Sequence, residues 1–247
     1  MLISIVVPIY KRGEYTDITL KNIEQVTGAC AFDFEFILVD DGNTEEYYQK
    51  HIKPFADKHS TSCKVIRHRI NEGLRNSAID GLYAVSGEYI QKWDNDFLIK
   101  VGWFEKAVDI LESYFCQIVT PAHDMRNNHV NADSPVVDER LGVYLVEFIG
   151  GCYFLRADSI KDKVFVRLTQ KDRDTWASGV NGLYISSNLH LVDFDVHLFG
   201  ETTELWAEHI ANPQYTHEMF IKDEHREYYE ETGRIVSMLQ YKEDTDA

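Results

Sequence analysis

The chain has 247 residues, 44% of them hydrophobic and 13% aromatic, and 25 basic against 41 acidic side chains give a formal net charge of −16. That length suffices for one large domain with a full core, or for a domain with a modest extension. A surface this acidic repels nucleic acid and anionic lipid, and no run approaches the roughly 18 to 20 apolar residues of a membrane span.

The opening stretch, Met1-Leu2-Ile3-Ser4-Ile5-Val6-Val7-Pro8, has neither a basic leader nor a small-residue cleavage site, and it reads as a core strand rather than a signal peptide. The strand is expected over 3–9, followed by an amphipathic helix over 15–26. A second buried strand at 34–39 ends in Asp40-Asp41-Gly42-Asn43, whose residue types favour a turn. Thr44 suits the N-cap of a helix running to Lys58, with Glu45 and Glu46 at its positive end. Residues 64–67 form a short third strand. Leu74, Ala78, Leu82 and Val85 then recur at helical spacing until Ser86-Gly87 stops them. A fourth strand over 89–93 runs into Asp94-Asn95-Asp96. The clearest helical stripe is Phe104, Ala107, Val108, Leu111 and Phe115, and a fifth strand follows at 117–120.

The second half is less regular. Residues 122–141 are polar, carry His123 and His129, and read as a long loop. A strand over 148–155 opens with Gly150-Gly151, a helix is expected near 172–180, and another strand at 189–194. The tail from residue 218 is charged, helical in pattern, and carries an apolar patch at 235–239. The four cysteines, at 30, 63, 116 and 152, include no Cys-x-x-Cys pair, so neither zinc nor a disulfide framework is suggested. A cytoplasmic location follows as the expectation.

Strand–helix alternation through the first 120 residues argues for an α/β fold, a mainly parallel Rossmann-like sheet with helices on both faces. In such sheets ligands bind beyond the carboxyl ends of the strands. Asp40 and Asp41 follow one strand end, Asp94 and Asp96 another, so the four share one crevice on this reading. Carboxylates are costly to bring together without a cation between them. A hard divalent ion, which takes oxygen ligands and shares them with substrate phosphates, answers that need.

The segments 4–10 (Ser-Ile-Val-Val-Pro-Ile-Tyr), 36–42 (Phe-Ile-Leu-Val-Asp-Asp-Gly), 71–76 (Asn-Glu-Gly-Leu-Arg-Asn), 87–90 (Gly-Glu-Tyr-Ile) and 94–96 (Asp-Asn-Asp) occur in the order and spacing of family 2 glycosyltransferases. The chain resembles these nucleotide-sugar-dependent enzymes of the GT-A fold, strongly over 1–120 and weakly over 148–200. The resemblance implies one GT-A domain over 1–217, with a nucleotide-binding half (1–120) and an acceptor-binding half (121–217), then a C-terminal helical extension (218–247).

It also implies roles. Pro8 and Tyr10 flank the nucleotide base, Asp41 accepts a hydrogen bond from the base's imide N–H (usually uracil), and Asp40 orients that loop. Arg75 lies near the nucleotide or diphosphate, although the residues alone also allow a surface arginine. Lys11 and Arg12 stand where they could also face the phosphates, although a solvated loop is the favoured reading of both. Asp96 is the direct ligand of Mn²⁺ or Mg²⁺, Asp94 contacts the ribose or the sugar or else binds the metal through water, Asn95 is on the nucleotide-sugar side, and His197 lies near the metal and diphosphate. The general base falls at Asp172, where Lys171 replaces the family's glutamate, and Asp174 stands as an alternative. The implied activity is a metal-dependent, inverting, non-processive transfer from a UDP-sugar to a glycan or glycolipid acceptor. A catalytically silent domain that binds nucleotide sugar or scaffolds a partner is the competing reading.

Overall fold

The computed structural model describes residues 1–113, 117–123, 136–138, 140–145, 152–160 and 199–210. Its centre is β1 (Leu2–Ile9), flanked by β2 (Asp33–Asp40) and β4 (Tyr89–Lys92), with β3 (Cys63–Arg67) outside β2. These four strands run parallel in the order β3-β2-β1-β4. The sheet continues through β9 (Tyr153–Arg156), β6 (Ile118–His123), β10 (Phe199–His209), β8 (Val143–Leu145) and β7 (Val136–Asp138), while β5 (Phe97–Ile99) pairs with β10. In this second part only β6 and β10 are parallel among the described pairs. The parallel half is the part that strand–helix alternation made readable.

β1 is apolar almost without interruption because it is buried on both faces. Ile3, Ile5, Val7 and Ile9 face a core built with α1 (Gly13–Gly28), α3 (Lys53–Lys58) and α5 (Trp103–Glu112). Val6 faces the opposite layer, where Ile79 and Leu82 of α4 (Leu74–Tyr83) pack with Ile37, Val39 and Ile90. Helices therefore cover both faces, as expected. α4 comes especially close through Gly81, where a Cβ would stand 2.2 Å from Val6 Cγ1.

Several elements depart from the sequence reading. The helix expected from Thr44 to Lys58 is divided into α2 (Glu45–Tyr47), a π turn over Tyr48–Ile52 and α3. Pro54 explains the division, since it brings no N–H to bond the preceding turn and its ring crowds the carbonyl four residues back. Thr44 does cap the start, its hydroxyl accepting from the Tyr47 N–H at 3.2 Å. The stretch 122–141 is not loop throughout, because Ala122 and His123 extend β6 and Val136–Asp138 forms β7. The strands β5 and β10 were not anticipated. The expected elements at 172–180 and 189–194, Gly150-Gly151, and the 217/218 boundary with its tail lie outside the described residues. Among the described residues no helix is long and apolar enough to cross a membrane. Cys30, Cys63 and Cys152 are free thiols. Burial pushes Cys63 up to about 12, and burial with the nearby Glu105 does the same for Cys30.

One buried acid in the parallel half is structural. Glu35, on β2, accepts hydrogen bonds from Ser4 Oγ at 2.6 Å, Ser86 Oγ at 2.7 Å and Lys64 Nζ at 3.2 Å, tying β1 and the α4–β4 turn to the sheet. Burial pushes its pKa up, but these donors outweigh it and hold the carboxyl below its ordinary value. A depressed folded-state pKa stabilises the fold above the unfolded value, about 4.3, and that contribution disappears as pH falls through the folded one. Urea titrations of wild type and Glu35→Gln are therefore expected to differ clearly near neutrality and to converge under acid conditions. Gly81→Val is expected to lower unfolding free energy by about 2 kcal/mol through overpacking against Val6, read in the same titration.

Candidate active site

The carboxyl ends of β2 and β4 lie on either side of the carboxyl end of β1, in registers that pair Ile9 with Asp40 and Val6 with Lys92. With neighbouring strands about 4.8 Å apart, the two acidic loops stand about 10 Å from each other across β1. The turn that leaves β1 bridges them. Lys11 N–H donates to Asn43 Oδ1 at 2.7 Å. The Lys11 carbonyl receives Tyr47 Oη–H and Asn95 Nδ2–H, the latter at 3.4 Å. Lys11 and Arg12 hold φ of 53° and 57°, the only positive values at non-glycine residues among those described. Two consecutive left-handed residues with side chains are strained, and such strain persists where surrounding contacts over-determine it.

On the β2 side, Asp40 is fully buried and shapes its own loop. It accepts from Arg67 Nε at 2.9 Å and from the Asn43 amide side chain at 2.7 Å. Asp41, 1% exposed, reaches the next loop instead: its oxygens accept from the backbone N–H of Glu72 at 2.7 Å and of Gly73 at 2.9 Å. His68 Nδ1 lies 2.9 Å from the same carboxylate, and its Nε2 lies 3.0 Å from Asp80. The loop closes tightly on Gly42, whose φ is 76° and whose missing Cβ would meet the Ile70–Asn71 backbone at 2.3 Å. Arg75, on the first turn of α4, is 4% exposed, so it is not a surface arginine. Pro8 is buried where β1 has run past its β4 partner, so its missing N–H breaks no bond to that strand. Tyr10 is half-buried, with Lys11 Nζ 5.1 Å from its ring centroid.

On the β4 side, both aspartates of the Asp-x-Asp pair carry a cation supplied by the chain. Lys92, fully buried on β4, donates to Asp94 Oδ1. Arg12 donates through Nη1 to Asp96 Oδ2, with side-chain exposures of only 9% and 4%. The solvated loop expected for Arg12 is thus corrected: its guanidinium is folded inward because a buried carboxylate draws it there. Asn95, expected on the nucleotide-sugar side, directs its amide to Thr16 Oγ1 at 2.9 Å and so holds the loop to α1. The Asp96 carbonyl accepts from Ile210 N–H at 2.9 Å, which ties the end of β10 to this loop.

Asp172, Asp174 and His197 lie outside the described residues. Of the rest, Asn95 and Asp96 bond the Lys11–Arg12 turn, Asp94 pairs with Lys92 beside them, and Asp41, across β1, holds the loop that leads into α4 and Arg75. Sequence reasoning missed Lys92, although one lysine inside an otherwise buried strand is itself a sign of a buried anionic partner. It also missed the bridging by Asn43, for which the sequence carries no separate signal.

The carboxylates of Asp94 and Asp96 are a hard oxygen donor set suited to Mn²⁺ or Mg²⁺. That the chain places a cation against each shows a local demand for positive charge, so the residues fit such an ion provided Arg12 yields its place. The grouping of His68, Glu72 and Asp80, whose ligand atoms lie within 4.8 Å of one another, is less suited, since both imidazole nitrogens already face carboxylates.

The sequence pattern described as Glycosyl transferase family 2 matches residues 4–168. The chain belongs to that family. Human polypeptide N-acetylgalactosaminyltransferase 18 is 29% identical over 94 residues, which is 36% of this chain and 16% of that protein. Glycosyltransferase GlyG of Streptococcus pneumoniae is 30% identical over 104 residues, 42% of this chain and 33% of that one. The chain therefore spans a third or less of the length of these curated relatives. Among solved structures, S. aureus TarS superposes with a TM-score of 0.56 at 15% identity over 88% of this chain and 38% of that one. The mannosyltransferase PcManGT of Pyrobaculum calidifontis, in complex with GDP-Man and Mn²⁺, gives 0.52 at 17% identity over 64% of this chain and 45% of its own. These likenesses establish the GT-A type of α/β fold for this family 2 member.

The Asp41 carboxylate organises the loop that leads into α4, and this is testable apart from activity. Asp41→Asn puts an amide N–H where Gly73 or Glu72 needs an acceptor, and is expected to cost about 2 kcal/mol in chemical denaturation.

Proposed function

We propose that this chain is a metal-dependent glycosyltransferase that moves a sugar from a nucleoside diphosphate, UDP by preference, to an acceptor hydroxyl, one residue at a time and with inversion. The observation that carries this reading is the position of Asp41 beyond β2 and of Asp94 and Asp96 beyond β4 at the carboxyl edge of a family 2 sheet, with the Lys11–Arg12 turn bonded to the loops on both sides. Support for the donor class comes from TarS structures with UDP and with UDP-GlcNAc, whose chains share this fold.

In this reading Asp96 would hold the divalent ion, with Asp94 and His197 as further donors. When bound, the ion supplies positive charge against the leaving nucleoside diphosphate, where the reaction develops negative charge. The Asp41 carboxylate, an acceptor only, pairs with a base N–H at its remaining lone pair. Tyr10 stacks on the base, Pro8 fixes the strand end beneath it, and Arg75 offers its fork to phosphate. Asp172 takes the proton of the acceptor hydroxyl as that oxygen attacks the anomeric carbon and the bond to the β-phosphate oxygen breaks. The acceptor is a glycan or glycolipid. Lys171 in the place of the family's glutamate favours a second reading, a domain that binds nucleotide sugar without transferring it.

Release of UDP from UDP-sugars, dependent on added Mn²⁺, tests the first reading against the second. Asp96→Ala is expected to abolish metal-dependent UDP binding in calorimetry, and unchanged affinity would remove the metal assignment. Asp172→Asn is expected to bind UDP as wild type does and to lose transfer by at least about a hundredfold. Full activity in that variant would move the base to Asp174 or elsewhere.

A further inference from the structure

We propose that Arg12 is a tethered counter-ion that occupies Asp96 until a divalent cation takes its place, and that it then turns to the diphosphate. The inference rests on the metal-dependent reading above and adds to it a competitor built into the chain.

Three observations support it. The guanidinium of Arg12 bonds the Asp96 carboxylate in a site where both side chains are almost wholly buried. A carboxylate so placed needs a positive partner, because an unpaired buried charge is strongly destabilising. The Arg12 backbone is also held in the left-handed region beside Lys11, so the side chain leaves the turn from a strained point. That turn is fixed at its base by Asn43, Tyr47 and Asn95, and the Thr16 N–H donates to the Arg12 carbonyl at 2.9 Å. Finally, the partner next to it is of another kind. Lys92 reaches Asp94 from within β4 and is fully buried, as a permanent structural cation would be. Arg12 arrives from a surface turn on a different strand.

An anchored backbone with a long side chain makes a latch with two positions. In one, the fork neutralises Asp96 while the site has no ion. In the other, an ion would neutralise Asp96, and the displaced fork would have the pyrophosphate of a bound nucleotide as its new anionic partner. A competitor that fills a site in about nine molecules of ten weakens the apparent affinity of the incoming ligand about tenfold. Arg12 thus keeps bare metal affinity low and restores binding strength only when nucleotide is present.

The test uses the full chain and Arg12→Met, which keeps side-chain length and removes the charge. Calorimetry with Mn²⁺ alone is expected to show about tenfold tighter binding in the variant, whereas UDP titrated in saturating Mn²⁺ is expected to bind about tenfold more weakly. Thermal melts without nucleotide give a readout that tolerates a destabilised variant: Mn²⁺ should raise the melting temperature of Arg12→Met more than that of wild type. Arg12→Lys should fall between the two. If wild type binds Mn²⁺ and UDP but Arg12→Met binds Mn²⁺ no more tightly, the latch is overturned while the metal-dependent reading stands. If UDP affinity in Mn²⁺ is unchanged, the turn toward the diphosphate is overturned. If wild type binds neither ligand, both the latch and the reading beneath it are lost.

Discussion

The structure is organised around a single electrostatic constraint: four carboxylates brought to one edge of a sheet must each be given a positive or hydrogen-bonding partner. Asp40 receives Arg67 and the Asn43 amide, Asp41 receives two backbone N–H groups and His68, Asp94 receives Lys92, and Asp96 receives Arg12. The chain as a whole carries a net charge of −16, so these partners work against the general field. Three of the four carboxylates are 3% exposed or less, which leaves little solvent to share the task.

The partners also set the local architecture. Arg67 comes from the end of β3, the N–H groups from the turn before α4, and Arg12 from the turn after β1. Each therefore locks a loop to a strand end, and the loops assemble as a consequence of neutralising the acids. The Lys11 peptide joins the two acidic loops directly, through Asn43 on one side and Asn95 on the other. An edge that is rigid before ligand arrives needs less ordering when it binds. Family 2 membership gives this edge a chemical context, and the arrangement of charges shows how strongly it calls for positive partners.

Much of the first half was legible in the sequence because its signals are local. β1, β2 and β4 are buried on both faces and so read as continuous apolar runs, while the stripe of Phe104, Ala107 and Leu111 has the period of a helix. Asp41, Asp94 and Asp96 are expected just past strand ends, and the structure sets them there. The remainder depends on partners far away. Arg12 looks like any loop arginine until Asp96 is placed beside it. β10 mixes Glu201, Thr202, Glu204 and Leu205 in a pattern broken by register shifts, so no alternation survives for a sequence reading to use. β5 is only three residues long and exists as a strand because β10 pairs with it.

β10 makes the support of the acidic loop a contact remote in sequence. It holds the acidic loop through the Ile210 N–H and reaches the following segment again where Lys100 Nζ donates to the Leu205 carbonyl, 105 positions away. The acidic loop is thus secured by a strand more than a hundred positions further along the chain. Closing so long a stretch costs conformational entropy that the local pairings of the parallel half do not have to meet.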